Sequence, residues 1–462
     1  MPIPGEAPST GTKAAPAPRA AVARERRIQG WGRITMPGRE VRSDDLERAT
    51  QDAVLSRGLG RSYGDSSLPA SADGTVVTTT LADRLLSFDE QTHVLRAEAG
   101  TSLLALNRVF LPRNVFVPVT PGTQFVTLGG MVASDVHGKD HHVHGTIGGH
   151  VRSLRMRAAD GRIVTCSRDE NADLFAATIG GMGLTGHILE VELGMRRIPS
   201  PWIRQTSRRV DDIDAFLDAL KDGAARWPYT VGWIDCLTRG RHMGRGILMA
   251  GDWAPASEAP ARFPKPHPRI AMPIDLPSWT LGRASVAAFN EAFYWKHLPR
   301  EMTGLVHWET FFYPLDAVGE WNRMYGKRGF TQYQCVLPDS AGRDAARRVL
   351  EILTQRGGAS FLCVIKDCGP EGEGLLSFPM SGISIALDIP IRDHTQELVD
   401  ALNEQVIREG GRIYLTKDQF TRREHFQAME PRLARFQEVR RRWDPEGRLK
   451  SAQSVRLFGD RA

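Results

Sequence analysis

Cysteine is scarce in this 462-residue chain. The five thiols, Cys166, Cys236, Cys335, Cys363 and Cys368, are odd in number and contain no Cys-x-x-Cys pair. That argues against a disulfide framework or a thiolate metal site and fits reduced, buried thiols. Long apolar runs are missing too, so no segment reads as a membrane-spanning helix. Nor does one sign of charge dominate. The net +6 is scattered, too thin for a nucleic-acid surface, and nucleic acid is not an expected partner. Residues 1–25 are rich in Ala, Pro, Arg and Gly without an apolar core. They read as a disordered tail and not as a secretory signal.

Glycine, by contrast, is plentiful and clustered. The stretch from Pro121 to His150 is dense in Gly, small residues and His, a composition poor for packing and good for wrapping backbone around a large polar cofactor. A short apolar strand at Ala53–Ser56 runs into a second glycine-rich turn, Arg57–Asp65. Strand, Gly-x-Gly and polar residues make a nest of main-chain N–H groups for an anion, although a plain hairpin turn carries the same glycines. Two such loops about sixty residues apart can hold the two ends of one dinucleotide. Further on, Asp173–Gly186 reads as a helix stopped by Gly180 and Gly181, with Gly183 and Gly186 following.

Around these loops, short strands alternate irregularly with short helices. The regular βαβ order of a Rossmann fold is absent, and an α+β domain is expected. Composition changes near Arg197–Pro201. Strands are expected at Tyr229–Asp235, Gly246–Ala250, Thr331–Val336 and Ser384–Ile389, with one Arg-rich helix over Phe426–Trp443. Residues 255–277 hold seven prolines, which no regular element survives. The five imidazoles His137, His141, His142, His144 and His150 complete no recognised metal spacing. No metal site is expected, and the rings read either as structural hydrogen-bonding groups or as neighbours of a cofactor or substrate.

Three motifs stand out together: Gly58-x-Gly-Arg-Ser-Tyr-Gly64, Pro121-Gly-Thr with Gly129-Gly-x-x-Ala-x-Asp-x-His-Gly138, and Asp173-Leu-Phe with Gly180-Gly-x-Gly-x-x-Gly186. They resemble the vanillyl-alcohol-oxidase-type FAD-binding superfamily. Within it, the chain is similar to the branch that oxidises polyprenylphosphoryl-ribose at C2′. Asp135–His142, Phe311–Asp316, Gly329–Gln334, Ser360–Lys366, Leu387–Ile391 and Gly411–Asp418 carry that closer likeness. The resemblance implies a two-subdomain FAD-binding domain with an α+β substrate domain built on an antiparallel sheet. Residues 26–196 and 407–462 would form the first and 197–406 the second.

Residue by residue, the resemblance implies FAD contacts from Arg57, Gly58, Leu59, Gly60, Arg61, Ser62, Tyr63 and Gly64. The second loop would add Pro121, Gly122, Thr123, Val126, Gly129, Gly130, Ala133, Ser134, His137, Gly138, His142 and Gly145. Gly181, Gly183, Gly186, Ile188 and Tyr414 would complete the set. Lys417, on a strand returning to the flavin, would be the base, with His137 as the other candidate. Tyr63, Lys139, Tyr313, Gln332, Gln334, Lys366, Ala386 and Lys417 would meet the substrate. Gln332 and Gln334 lie two apart, so a strand would aim both the same way and Tyr333 the other.

Two departures from the superfamily matter. Arg61 stands where many members attach FAD covalently through a histidine, so non-covalent FAD is expected. Ala386 stands where some relatives carry a cysteine beside the flavin, which removes a reactive thiol. The implied partners are a polyprenyl-phospho-sugar substrate and a separate NADH-dependent keto-reductase subunit, with peripheral membrane contact. Apolar residues among Arg and Lys at 252–279 would form a lid against lipid. The implied location is cytoplasmic or peripheral on the inner membrane, with its periplasmic face also allowed. The competing readings are a soluble FAD oxidase of free alditols or aldonolactones, and a flavin-free scaffold for the reductase.

Overall fold

The computed structural model describes residues 23–265, 269–358 and 360–461. The expected tail therefore lies mostly outside the described residues, as do residues 266–268 of the proline-rich stretch. Order begins inside that tail, because strand Arg24–Gln29 already pairs with Thr35–Arg42. These two continue through Thr75–Thr78 to the edge strand Leu55–Arg57, the last three strands running parallel. The glycine turn at 57–65 thus leaves from a sheet edge, where its backbone has no further ladder to serve.

A second, antiparallel sheet has the spatial order Leu85–Asp89, Val94–Glu98, His187–Gly194, Val151–Arg157 and Ile163–Ser167. Helix Leu103–Phe110 packs beneath it, capped where the Ser102 hydroxyl accepts from the Ala105 N–H at 3.1 Å. The Pro121–His150 stretch folds into very short helices at Leu128–Ala133 and His141–His144.

The third sheet is antiparallel and eight-stranded. Its spatial order is Glu301–His307, Trp202–Val210, Gly246–Trp253, Tyr229–Ile234, Cys363–Cys368, Gly382–Pro390, Phe330–Pro338 and Arg412–Ile413. Helices Ile213–Ala224, Asp344–Arg356 and Thr395–Arg408 cover one face, where Tyr333 is buried. Residues of period two fall on the opposite face. One row across it reads Gln334, Ala386, Val364, Trp233. The fold is α+β, and the two parts share one core in which Phe116 lies against Trp253 and Phe312.

The C-terminal segment differs from expectation in two respects. Arg412–Ile413 is still the edge strand of the large sheet, paired with Cys335 and Val336, before the chain crosses to the FAD-binding part. The Phe426–Trp443 helix is in fact two, Arg423–Met429 and Leu433–Trp443. Pro431 lies between them, and its ring and missing N–H break the ladder. Past the crossing, Leu415, Phe426, Phe436 and Leu457 pack on Ala177, Met182 and Leu184.

Candidate active site

The turn 57–65 is fastened on three sides. Trp31 and Gly32 donate backbone hydrogen bonds to Ser62 and Tyr63, and Tyr63 donates to Thr416. A Cβ on Gly58 would lie 2.1 Å from the Thr127 hydroxyl, and one on Gly64 would lie 1.8 Å from the Asp418 carbonyl. Both positions therefore need glycine for close approach, which brings the turn against the second loop and the C-terminal segment. Arg57 is turned into structure, its guanidinium donating to the Gln29 and Ser67 carbonyls. Arg61 instead lies 4.1 Å above the Trp31 ring.

In the second loop, Asp135 is fully buried. One of its oxygens accepts from the Gly148 N–H at 3.0 Å and the other from the Ser377 hydroxyl. Burial pushes its carboxyl up to about 6. The histidines are mostly structural. His141 Nδ1 accepts from the Gly369 N–H, His142 Nε2 donates to the Trp227 carbonyl, and His150 Nε2 donates to the His144 carbonyl. His144 itself meets Arg196. Among the described residues, no three His, Cys, Asp or Glu side chains are grouped to hold a metal ion.

His137 differs from the rest of the cluster. Its Nε2 lies 3.0 Å from the Gln334 amide nitrogen and accepts from it, which leaves the ring proton on Nδ1. Nδ1 is buried with no partner among the described residues. Burial and the nearby Lys366 hold the ring far below its ordinary pKa, so it is neutral. In this geometry His137 offers a donor at Nδ1. The Tyr414 ring lies 5.0 Å from it, and the Tyr414 hydroxyl donates to the Ser134 carbonyl at 2.8 Å.

Three half-buried lysines converge on this region from separate parts of the chain: Lys139, Lys366 and Lys417. Lys139 donates to the Phe312 carbonyl at 3.1 Å. Lys417 lies in the turn after Arg412–Ile413, not on the strand expected for it, with Nζ 3.9 Å above the Tyr63 ring. Burial lowers Lys366, and it brings Lys139 and Lys417 down to about 7. Lys366 depresses both of the others further, so the three share one field.

Asp388 opposes that field. It is fully buried, and accepts from Gln332 Nε2 at 2.5 Å and from the Tyr325 hydroxyl at 2.9 Å. Burial raises its carboxyl to about 7, against the pull of Lys417. The sequence held a signal for it: a lone carboxylate in the apolar strand Gly382–Pro390. Gln332 and Gln334 do share a face, as expected.

Some expected contacts take other duties. The Tyr313 hydroxyl is 2.6 Å from Thr120 Oγ1 and 3.2 Å from Asn107 Nδ2, and the residue is 1% exposed, so it braces the wall between the two parts. Gly181 and Gly186 are pressed against the Ala177 and Arg157 carbonyls, and Ile188 is in the hydrophobic core.

Residues 46–167 match the family described as FAD binding domain. The chain is 33% identical to decaprenylphosphoryl-β-D-ribose oxidase of Mycolicibacterium smegmatis over 94% of its own length and 97% of that protein. The chain belongs to this oxidase family. An uncharacterized protein of Streptomyces coelicolor is 31% identical over 77% of this chain and 99% of its own. Bovine L-gulonolactone oxidase is 23% identical over 91% and 93%.

As a member of the decaprenylphosphoryl-β-D-ribose oxidase family, the protein is an FAD-dependent oxidoreductase of vanillyl-alcohol-oxidase type. Its loops fit that cofactor. No atom of the described residues would meet a Cβ within 4 Å at Gly122 or Gly145, so the backbone there is open to a ligand. Ser66 Oγ and His137 Nδ1 are buried polar atoms without partners among the described residues, as a polar ligand requires. No helix among the described residues is long and apolar enough to cross a membrane.

Proposed function

We propose that the protein oxidises the ribose C2′ hydroxyl of a polyprenylphosphoryl-β-D-ribose to the 2-keto sugar. This would be the first half of an epimerisation to the arabinose donor for cell-wall synthesis. A separate NADH-dependent keto-reductase would complete the second half. The observation that carries the reading is the convergence of Lys139, Lys366 and Lys417, which have no ion pair with a carboxylate among the described residues. A phosphate would neutralise that field, and an uncharged alditol would not. In this division of labour, residues 26–196 and 414–462 hold FAD and 197–413 hold the substrate. FAD would be non-covalent, because Arg61 cannot form the bond that histidine forms in other members.

FAD, when bound, supplies the acceptor for the hydride leaving C2′. Lys417, with its pKa near 7, takes the hydroxyl proton in its neutral form. Lys366 and Lys139 hold the phosphate, and Gln332 and Gln334 orient the sugar from one face of their strand. His137 Nδ1 would be free to donate to a polar atom of the bound cofactor.

The direct test is anaerobic mixing of the yellow protein with a short-chain polyprenylphosphoryl ribose while flavin absorbance is followed. Rapid bleaching is expected. If free alditols or aldonolactones bleach the flavin and the phospho-sugar does not, the alditol oxidase reading replaces this one. It has support in the likeness to bovine L-gulonolactone oxidase.

Asp388 gives a second prediction. Its carboxylate stabilises the Lys417 cation, so Asp388→Asn lowers the lysine pKa further and frees the base at lower pH. The rise of the flavin-reduction rate with pH should move to the acid side by about one unit. Single-turnover rates between about pH 5 and 9 would read this. An unmoved midpoint would separate Asp388 from the lysine.

A further inference from the structure

The site described above accounts for a sugar and a phosphate, and leaves the apolar chain of the proposed substrate without a place. A cavity of about 360 Å³ lies next to it. Leu276, Leu281, Met324, Tyr325 and Ile391 form its apolar walls, and Lys327, Arg328 and Arg392 add positive charge. Tyr325 belongs to both places. Its hydroxyl donates to Asp388 in the site, and its ring stacks on Phe330 at 4.2 Å. Phe330 in turn meets the Tyr63 ring at 5.2 Å, and that ring lies beneath Lys417.

The wall on the proline-rich side is anchored. Asp275 is gripped by Arg33 at 2.6 Å and Arg323 at 3.1 Å, and Leu276 donates its N–H to the Arg323 carbonyl. Just before this anchor the same segment turns Ile270, 76% exposed, and Ile274, 60% exposed, to solvent. Apolar surface therefore continues from the cavity to the outside of the molecule. Such exposure is costly unless something apolar covers it. Arg328 is engaged by Asp393, and Lys327 is exposed beside it, a charge pattern that suits the anionic surface of a membrane holding the substrate.

We propose that this cavity receives the polyprenyl chain, the isoprene units beyond the first lying against Leu281, Met324 and Ile391. The inference rests on the sugar-lipid reading above. It makes the cavity a determinant of chain length, separate from the residues that hold sugar and phosphate.

The test uses the full-length, FAD-loaded protein and two substrates, phosphoryl ribose on a single isoprene unit and on a chain several units longer. The variants are Met324→Glu and, as a milder change that keeps the fold, Leu281→Ala. Flavin content and thermal stability are measured alongside. For the longer substrate KM should rise about tenfold with Met324→Glu, the effect of leaving roughly two methylene groups of the lipid unburied. The one-unit substrate should keep its KM and its flavin-reduction rate. Polyprenyl phosphate lacking the sugar should inhibit the parent, more strongly as the chain lengthens, and Met324→Glu should flatten that dependence. Equal effects on both substrates, or no chain-length dependence in the parent, would overturn the cavity assignment and leave the sugar-lipid reading standing. Oxidation of neither phospho-sugar by the parent protein would remove both.

Discussion

Replacing Lys417 by methionine should slow flavin reduction by the phospho-sugar about a thousandfold, the loss expected when a general base is removed. The side chain sits 3.9 Å above Tyr63 in a field shared with Lys366, and burial brings its pKa to about 7. Two roles for this lysine predict opposite pH slopes. As a base it must be neutral, so the rate should climb with pH up to about 7 and then level. As a phosphate-binding cation it must be charged, and substrate binding would weaken as pH rises through the same value. The base role is the one expected, and Lys417→Met should flatten the climb. Lys417→Arg keeps the charge and loses the base, so it should be nearly as slow as the methionine variant.

Stability separates this effect from misfolding. The folded protein lowers the lysine pKa, so the unfolded chain binds the extra proton between about 7 and the ordinary lysine value. Stability therefore rises with pH across that window, and the cost of confining the cation is complete below it. Lys417→Met has no such cost. It should melt no lower than the parent at neutral pH, and its relative advantage should be largest below about 7. A variant that is slow and also less stable would point to a structural role for the residue.

Arg456 carries the largest expected effect on stability. Its guanidinium donates to both oxygens of Asp65, at 2.9 and 2.7 Å, to Asp418 at 2.8 Å and to the Thr421 carbonyl at 2.6 Å. Three distant stretches meet there: the end of the glycine turn, the residue after Lys417 and the C-terminal helix Ala452–Leu457. Arg456→Met would leave two buried carboxylates facing one another. Breaking a buried ion pair in this way costs about 3–5 kcal/mol. Burial already raises Asp65, and Arg456 is the group that opposes it. Without the arginine the Asp65 carboxyl should rise further, so the variant should be least stable at high pH and regain part of the loss on acidification. Thermal melts at about pH 5 and 8 would show this, together with weakened FAD retention. Arg456→Lys, which keeps the charge but not the fork, should restore only part of the stability.

Lys417, Asp388 and Arg456 differ in how far the sequence reveals them. Resemblance points to Lys417, in the run Gly411–Asp418, although its place in a turn is not legible there. Two residues of strand are too few to read, and the lysine lies beyond them. Asp388 stands out only as a carboxylate in an apolar strand. Its importance depends on lying opposite Gln332, and strand register is not written in either strand alone. Arg456 gives no signal, because an arginine on a short C-terminal helix reads as a solvated charge. Resemblance puts Tyr313 in the pocket, yet its hydroxyl is held by Thr120 and Asn107. Pro431, by contrast, is a visible breaker inside the expected 426–443 helix, and its ring ends that helix as the chemistry of proline requires.

By itself, the sequence determined the local chemistry of this protein. Glycine at 58 and 64 permits close backbone approach, Ala133 and Ser134 are small, and an arginine stands at position 61. These are properties of single residues and short spacings, and they survive without knowledge of what lies across the fold. Tertiary structure alone decided the electrostatics. Lys139, Lys366 and Lys417 come from three separate stretches, and burial lowers all three while Lys366 lowers the other two only because the chain brings them together. Likewise, the neutral state of His137 comes from burial and Lys366, and the donor role of its Nδ1 depends on an amide nearly two hundred residues away. Burial and long-range neighbours set a proton's place, and both are properties of the folded chain.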